Sequence, residues 1–587
     1  MDKIFNQEKI NETRNFIIEN FSQNPSAHDR FYDEGYSKHL ENKFENYSCR
    51  DEFSRDADRI LYSKAFRRLE HKAQVYSNKK GDHYRTRLTH TLEVTQIARS
   101  ISRNLGLNEH LTEAISLGHD IGHTPFGHVG ENVLDDIMRG KDDLGGKLNF
   151  LIDYGGFKHN FNSLKILEIV EKREKEVGLN LTWQCLDGIL KHTKIIKDNK
   201  KWDLNRFVRD MSMYTPFISY DYFDDESKPN YEYPLTLEGQ VVKISDEIAQ
   251  REHDLDDSLR DGDLFRYDDV FEEIKSMMED IKENFDSKSS GYELFISCYN
   301  KIFDFERIEN NMQWKELTSI IISYFILDVT INTMNNIVQY RSFDNVILIE
   351  DNHKYIIESI VDFSIIANKF NEKIEEFVEN RIINSFNVNR FDGKGKFILR
   401  QLFKAYYENP RQMPRKQLVI LIKNIEKTIQ RFPALKNEIK LLQIDLKELY
   451  AINENNVDIK NLTELLDLLK LNINFNVNKS ENIKGNFETA CINIIFREMG
   501  FNLDEIFNRN SHDVNLFVQE CFEKIFEYCS KKDLADLERI NQCNEILIFC
   551  KALLEFHYTY LSIICEYISQ MTDDYAEKEY RELYLSN

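Results

Sequence analysis

The chain holds 15 histidines, and His83, His90, His110, His119, His123, His128 and His159 are crowded into one short region. The most informative pair is His119-Asp120. Imidazole nitrogen and carboxylate oxygen together suit Mn, Fe, Co or Zn better than Ca. A His-Asp dipeptide alone is common, so its surroundings decide. In HDIGHTPFGHVGE, His123 follows His119 by one helical turn, and on a helix the two would face the same way. A break at Thr124-Pro125-Phe126-Gly127 then delivers His128 and Glu131 from the next segment. Upstream, RTRLTHTLEV supplies His90 with Arg87 one turn before it; downstream, VVKISDEIA supplies Asp246 on an otherwise apolar helical face. A buried acid without a partner is costly, so Asp246 calls for a cation or a hydrogen-bond network. The bland alternative is that these are capping or core residues. Against it, two histidines and two aspartates from three helices make a four-ligand metal site with positions left for water and substrate.

The elements that must carry these residues are helices. Only 8 prolines and 21 glycines interrupt the 587 residues, which favours long helices over a turn-rich β fold. The pattern is helical from Arg55 to about Asn104 with a turn near 78–82, and Leu92, Ile97 and Ile101 recur at helical spacing. Further helices are expected from Glu113 to Gly118, about 162–175, about 182–192 and 237–258, with a loop over 140–160 and a loop or small hairpin over 195–235. Beyond 265 comes a series of amphipathic helices, with an Asn- and Lys-rich surface insertion at 450–485 and an apolar core helix at 545–567.

A formal charge of −23 argues against a nucleic-acid coat or a membrane-surface protein, both of which need a basic face. An anionic small substrate is compatible with it, because a few local cations or a metal suffice. The 9 cysteines form no CxxC pair, which suggests a reducing compartment. MDKIFNQEKINETRNF lacks the apolar core of a signal peptide, and the most apolar run, Ile320 to Ile331, is too short to span a bilayer. A soluble, cytoplasmic protein is expected.

The pattern H…HD…D resembles that of the HD superfamily, and HDIGHTPFGHVGE resembles its deoxynucleoside triphosphate triphosphohydrolase branch, the dGTPase-like proteins. DRILYSKAFRRLEHKAQV, GDHYRTRLTHTLEVTQIARSI, GFKHNFNSLKIL, GLNLTWQCLDGILKH, SDEIAQREHDLDDSL, GKFILRQLFKAYYENPRQMP and YISQMTDDYAEKEY extend the resemblance over 50–414 and 551–580. It implies a mainly α fold, an HD-domain helical core with an additional C-terminal helical subdomain. The expected organisation is an N-terminal segment 1–50, an HD catalytic core 51–265, a helical extension 266–414, a helical insertion 415–550 that regulates or oligomerises, and a C-terminal helix 551–587.

By the same resemblance His90, His119, Asp120 and Asp246 hold a divalent metal, with Mn, Mg, Fe or Co expected and Zn a further option. The family cleaves a dNTP to deoxynucleoside and inorganic triphosphate by attack at the α-phosphorus. His128, oriented by Glu131, is then the natural general acid for the leaving 5′ oxygen. Arg87, His123 and His159 resemble phosphate contacts, and Gln74 resembles a glutamine beside the sugar or base. Asp254 joins the substrate-binding set. Lys191 and His192 are weaker candidates, read equally well as a surface pair at a helix end. Two departures stand out: Gln250 replaces the tyrosine of DEIAY in the substrate pocket, and Asp574 replaces the arginine of MTDRYA.

The leading reading is a dNTP triphosphohydrolase, a homo-oligomer with a dNTP substrate and a further nucleotide as activator, without membrane or nucleic acid as main partner. Such an activity could starve a replicating phage of dNTPs. The competing readings are an HD phosphohydrolase or nuclease acting on another nucleotide or oligonucleotide, and a non-catalytic nucleotide-binding regulator.

Overall fold

The structure, a computed structural model, describes residues 7–25, 30, 50–74, 85–148, 154–172, 178–193, 233–260, 267–304, 313–340, 347–350, 353–356, 358–431 and 557–585. The expected features at 78–82, 195–232, 450–485 and 545–556 lie outside these residues. The mainly α expectation holds. In chain order the helices are α1 (Gln7–Asn20), α2 (Glu52–Leu61), α3 (Lys64–Arg68), α4 (Arg87–Leu105), α5 (Glu109–Gly118), α6 (Gly127–Met138), α7 (His159–Lys165), α8 (Trp183–Lys191), α9 (Leu237–Arg260), α10 (Tyr267–Asn284), α11 (Tyr292–Asp304) and α12 (Gln313–Tyr340). They continue with α13 (Ile365–Phe377), α14 (Phe386–Glu408), α15 (Arg415–Arg431), α16 (557–569) and α17 (Asp573–Tyr584). Among the described residues the strands are one antiparallel pair, β1 (Ile347–Glu350) and β2 (His353–Ile356), with Ile347 opposite Ile356.

Contacts divide the chain into two compact units. One comprises Met1–Val129, Lys158–Gly395 and Thr572–Asp574; the other comprises Gly130–Phe157, Lys396–Met571 and Tyr575–Asn587. In the first unit α4 packs on α5 and α9, and α8 packs on α5, α7 and α9. The core between them contains Val94, Ile97, Ala98 and Ile101 of α4, Leu111 and Ile115 of α5, Ile189 of α8, and Val241 and Ile248 of α9. Leu92, expected on the apolar face of α4, is instead 48% exposed. The buried stripe of that helix runs through His90, Val94, Ile97 and Ile101. In the second unit Arg400 pairs with Asp142 at 2.6 Å, and Tyr406 Oη donates to Glu579 at 2.8 Å.

Local chemistry sets the helix starts that matter for the site. Thr86 and Thr89 form a reciprocal capping box at the head of α4, one turn before His90. Asn108 accepts from the backbone N–H of His110 and Leu111, which moves the start of α5 back to Glu109 from the expected Glu113. The helix expected over 162–175 begins earlier, at His159, and closes in a π-helical turn at Ile166–Val170.

The stretch Glu316–Gln339 of α12 is long and apolar enough to cross a membrane by length and composition, contrary to the expectation for Ile320 to Ile331. An 18-residue window of that stretch is 56% buried, and α12 packs on α1, α4, α9 and α11. A core helix buried on several sides has the same composition.

One correction concerns the HD dipeptide itself. α5 ends at Gly118, and residues 119–122 form a turn rather than a continuation of the helix. α7 holds that turn. Ser163 Oγ accepts from Gly122 N at 2.9 Å and donates to His119 O at 3.2 Å, and Asn162 Nδ2 donates to Gly122 O at 2.8 Å. The approach is so close that a Cβ on Gly122 would stand 2.1 Å from the His159 carbonyl oxygen and 2.4 Å from Ser163 N. Both are backbone atoms that cannot swing aside. Gly122→Ala is therefore expected to cost about 1–3 kcal/mol or more through overpacking. Urea unfolding checks this as a lower midpoint at unchanged slope.

Candidate active site

His90 from α4, His119 and Asp120 from the turn after α5, and Asp246 from α9 converge in the first unit. His90 Nε2 lies 3.0 Å from Asp246 Oδ1 and 3.9 Å from Asp120 Oδ2. His119 Nε2 lies 3.4 Å from Asp120 Oδ1 and 3.7 Å from Asp246 Oδ1. His119 Nδ1 sits 2.7 Å from the Ser116 carbonyl oxygen and donates to it, which leaves the Nε2 lone pair facing the carboxylates. That Nε2 is buried with no hydrogen-bond partner. Ligand atoms of His90, His119 and Asp246 all lie within 4.8 Å of one another.

The electrostatics demand a positive charge there. Burial alone would lower the His119 imidazole, yet Asp120 and Asp246 outweigh it and push it up to about 9. Burial would raise Asp120, but His119, His123 and Arg87 hold it well below the usual carboxylate range. Asp246 is held low against burial by His119 and His90. An orphaned buried imidazole nitrogen facing two ionised carboxylates fits a divalent cation, and two nitrogens with two oxygens fit Mn, Fe, Co or Zn.

Beside this centre stands a second group of histidines. His123 Nε2 is 3.0 Å from Asp120 Oδ1, and its ring stacks on His159 with centroids 3.9 Å apart and planes at 16°. Burial, then Arg87 and His159, depress His123 well below its ordinary range, so it is neutral; its Nδ1 is buried without a partner. His159 Nε2 meets His192 Nε2 at 3.2 Å, and His192 Nδ1 donates to Ile189 O at 2.6 Å. Arg87 Nη1 donates to Asp120 Oδ2 at 2.8 Å, while its Nε is buried without a partner. His128 is exposed at the start of α6, its ring 5.3 Å from that of His123. Glu131 follows three residues later on α6, on the same helical face.

The turn that presents His128 is built under constraint. Phe126 and Gly127 both have φ +60°, a backbone conformation costly for phenylalanine and free for glycine. A Cβ on Gly127 would come within 3.1 Å of Arg87 Nη2, so the glycine also admits the guanidinium. Asp573 holds the turn from far along the chain: Oδ1 accepts from Phe126 N and Oδ2 from Ala73 N, each at 2.9 Å. Phe391 packs edge-on against Phe126 at 5.6 Å. Lys72 is buried and donates to the His123 carbonyl oxygen. Burial, with Arg87 nearby, brings Lys72 down to about 7.

The sequence matches the HD domain family over residues 87–251. A deoxyguanosinetriphosphate triphosphohydrolase-like protein of Geobacter metallireducens is 34% identical over 369 residues, 62% of this chain and 80% of that protein. One of Nitrobacter hamburgensis is 35% identical over 374 residues, 63% and 81% of the two chains. One of Caldanaerobacter subterraneus is 44% identical over 236 residues, 40% and 54% of the two chains. The chain belongs to the deoxyguanosinetriphosphate triphosphohydrolase-like family of HD-domain proteins.

It is accordingly a metal-dependent phosphohydrolase. Within this dGTPase-like chain, Gln74 is half-buried next to Ala73, its Oε1 buried without a partner. Asp254 is 2% exposed on α9, two turns beyond Asp246, and Gln250 is half-buried between them. Asp574 is exposed at the start of α17. Lys191 and His192 are not a surface pair: both are buried, and Lys191 pairs with Asp187 at 2.5 Å. His110 is exposed on α5 and takes no part. Residue reasoning passed over Lys72, Asp573, Glu93 and His253. The one available signal for Asp573 was its place beside Asp574 in MTDDYA.

Two outcomes follow from this geometry. Free Mn²⁺ at a hundred times its dissociation constant should stabilise the protein by about 2.7 kcal/mol. The thermal midpoint should rise accordingly, and His119→Ala should abolish the rise. Asp573→Ala, which orphans two backbone N–H groups, should cost about 1–3 kcal/mol in chemical denaturation.

Proposed function

We propose that the protein is a dNTP triphosphohydrolase, converting a dNTP and water to deoxynucleoside and inorganic triphosphate. The observation that carries this reading is the adjacency of two differently charged halves in one site: the carboxylate-rich centre of His90, His119, Asp120 and Asp246, and the cationic or neutral group of Arg87, His123, His159 and Lys72. The name shared by the relatives points to the same substrate class. A metal held by His90, His119, Asp120 and Asp246 would supply an activated water and neutralise phosphate charge.

The chain's own residues would do the rest. Arg87 offers a planar fork of donors to phosphate oxygens, and its buried unpartnered Nε is one of them. His123 is kept neutral in the free protein, first by burial and then by Arg87; a bound triphosphate offsets that cation and favours a second proton on His123. Gln74 Oε1, a buried acceptor without a partner, would meet the sugar or base, where it asks for a hydroxyl or amine, and the buried Asp254 carboxylate would join it there. His128, exposed and three residues before Glu131 on α6, would donate its proton to the leaving 5′ oxygen, with Glu131 fixing its orientation. Gln250 in place of a pocket tyrosine changes what the sugar or phosphate meets, so substrate preference is read here.

The test is incubation of the full chain with Mn²⁺ and each dNTP, singly and mixed, with the phosphate product resolved by ³¹P NMR or ion chromatography. Inorganic triphosphate is expected, and His128→Ala should lower kcat about 10²–10⁴-fold with a small change in KM. Pyrophosphate or monophosphate as product would replace the reaction class, and wild-type turnover by His128→Ala would remove the general-acid assignment. Turnover only in dNTP mixtures would show activation by a second nucleotide.

A further inference from the structure

Behind His90, away from the carboxylates, stands a second histidine. His90 Nδ1 is 2.9 Å from His253 Nδ1, with the rings edge-to-face and centroids 5.0 Å apart. His253 Nε2 in turn touches Glu93 Oε2; the His253 side chain is 1% exposed and that of Glu93 43% exposed. The placement follows from helical spacing. Glu93 is three residues after His90 on α4, and His253 is seven after Asp246 on α9, so each pair shares a face. Where α4 and α9 meet, one layer holds His90 and Asp246 and the next holds Glu93 and His253.

Arg85 completes the outer layer. Its Nε donates to Glu93 Oε2 at 3.1 Å, Nη1 to Asp256 Oδ2 at 2.5 Å, and Nη2 approaches Glu252 Oε2 at 3.3 Å. Glu93, Glu252 and His253 could by spacing hold an ion of their own. The guanidinium already supplies the positive charge those carboxylates face, so the cluster is a support rather than a second metal centre.

Two nitrogens facing each other at hydrogen-bond distance share one proton, and its owner is decided by the other face of each ring. To ligate through Nε2, neutral His90 must carry its proton on Nδ1. His253 Nδ1 must then accept, which puts the proton of neutral His253 on Nε2, the nitrogen in contact with the Glu93 carboxylate. The competing arrangement is close at hand: a proton on His90 Nε2 would bond to Asp246 Oδ1 at 3.0 Å and block the ligand lone pair. We propose that His253 and Glu93 are positioning residues, a relay that keeps His90 in its Nδ1–H tautomer and so sets the metal affinity of the site. The proposal rests on the reading of His90 as a metal ligand.

Full-length protein stripped with chelator is titrated with Mn²⁺ against a fluorescent competitor, with unfolding of the metal-free forms followed in parallel. His253→Phe keeps a ring of similar size but cannot accept, and it should weaken Mn²⁺ binding by about ten- to a hundredfold with the metal-free thermal midpoint little changed. His253→Gln restores an acceptor oxygen and should recover part of the loss. Glu93→Gln keeps an acceptor without the charge and should lose only a few-fold, whereas Glu93→Ala should lose more. Wild-type Mn²⁺ affinity in His253→Phe overturns the relay, as does a His253→Gln variant no better than His253→Phe. Should His253→Phe fail to fold, unchanged affinity in Glu93→Ala overturns it equally. If instead wild-type Mn²⁺ binding is absent or indifferent to His119→Ala, the metal reading of the centre fails, and that outcome is distinct.

Discussion

Asp120 and Asp246 are ionised carboxylates held side by side within the interior of the first unit, and much of the surrounding structure answers that one cost. Ionised groups taken out of water require compensation by charge or hydrogen bonding. Here the compensation comes from every direction at once: His119 and His90 from the centre, His123 and Arg87 from beside it. A site whose buried imidazole is driven up to about 9 is one that holds a positive charge wherever it can. In the absence of a metal that charge is a proton. A divalent cation held by His90, His119, Asp120 and Asp246 would satisfy the same carboxylates with the imidazoles neutral, and its affinity would fall as protons compete.

The geometry that keeps these groups close is imposed from outside the motif. The HD dipeptide sits in a turn, and a turn has no ladder of its own to hold it. Asn162 and Ser163 in the middle of α7 supply hydrogen bonds to it, and Gly122 permits the contact because no side chain stands in the way. The following turn is held in the same manner by Asp573, which binds the backbone of Phe126 and of Ala73. Positive φ at Phe126 is strain, and strain persists only where neighbours over-determine it. A single carboxylate therefore ties together the residue before Gln74 and the turn before His128. The chain's return to this place after hundreds of residues is part of the site and not merely an end of the fold.

Donor chemistry was legible in the sequence, whereas its supports were not. His119 and Asp120 stood out by residue type and by the histidines around them, and the resemblance to HD proteins joined them to His90 and Asp246 as one set. The four-residue interval between His119 and His123 read as a helical turn, yet residues 119–122 leave the helix, because backbone contacts to α7 override local propensity. Leu92 read as core because it is apolar and near the right phase; the stripe that is buried passes through His90 and Val94 instead. Lys191 and His192 read equally well as weak site candidates and as a surface pair at a helix end, because the sequence does not say that α8 is buried along its whole length, from Trp183 to Lys191. His253 was invisible for a different reason. Its meaning depends on which nitrogen of a residue 163 positions earlier carries a proton, and no spacing rule encodes that.

Asp120 links the two halves of the site by having more claimants than oxygens. Oδ2 accepts from Arg87 at 2.8 Å; Oδ1 lies 3.0 Å from His123 Nε2 and 3.4 Å from His119 Nε2. An oxygen given to a cation is shared less fully with Arg87 and His123, whose donors are then more readily turned toward another anion. A triphosphate is such an anion, and it would arrive where the cation has drawn charge away from the carboxylate. Linkage requires the converse with equal strength: phosphate on Arg87 leaves Asp120 more available to the metal. A net charge of −23 is compatible with the proposed anionic substrate, because Arg87 and His123 are buried against the Asp120 carboxylate, a partner that metal and phosphate together would replace.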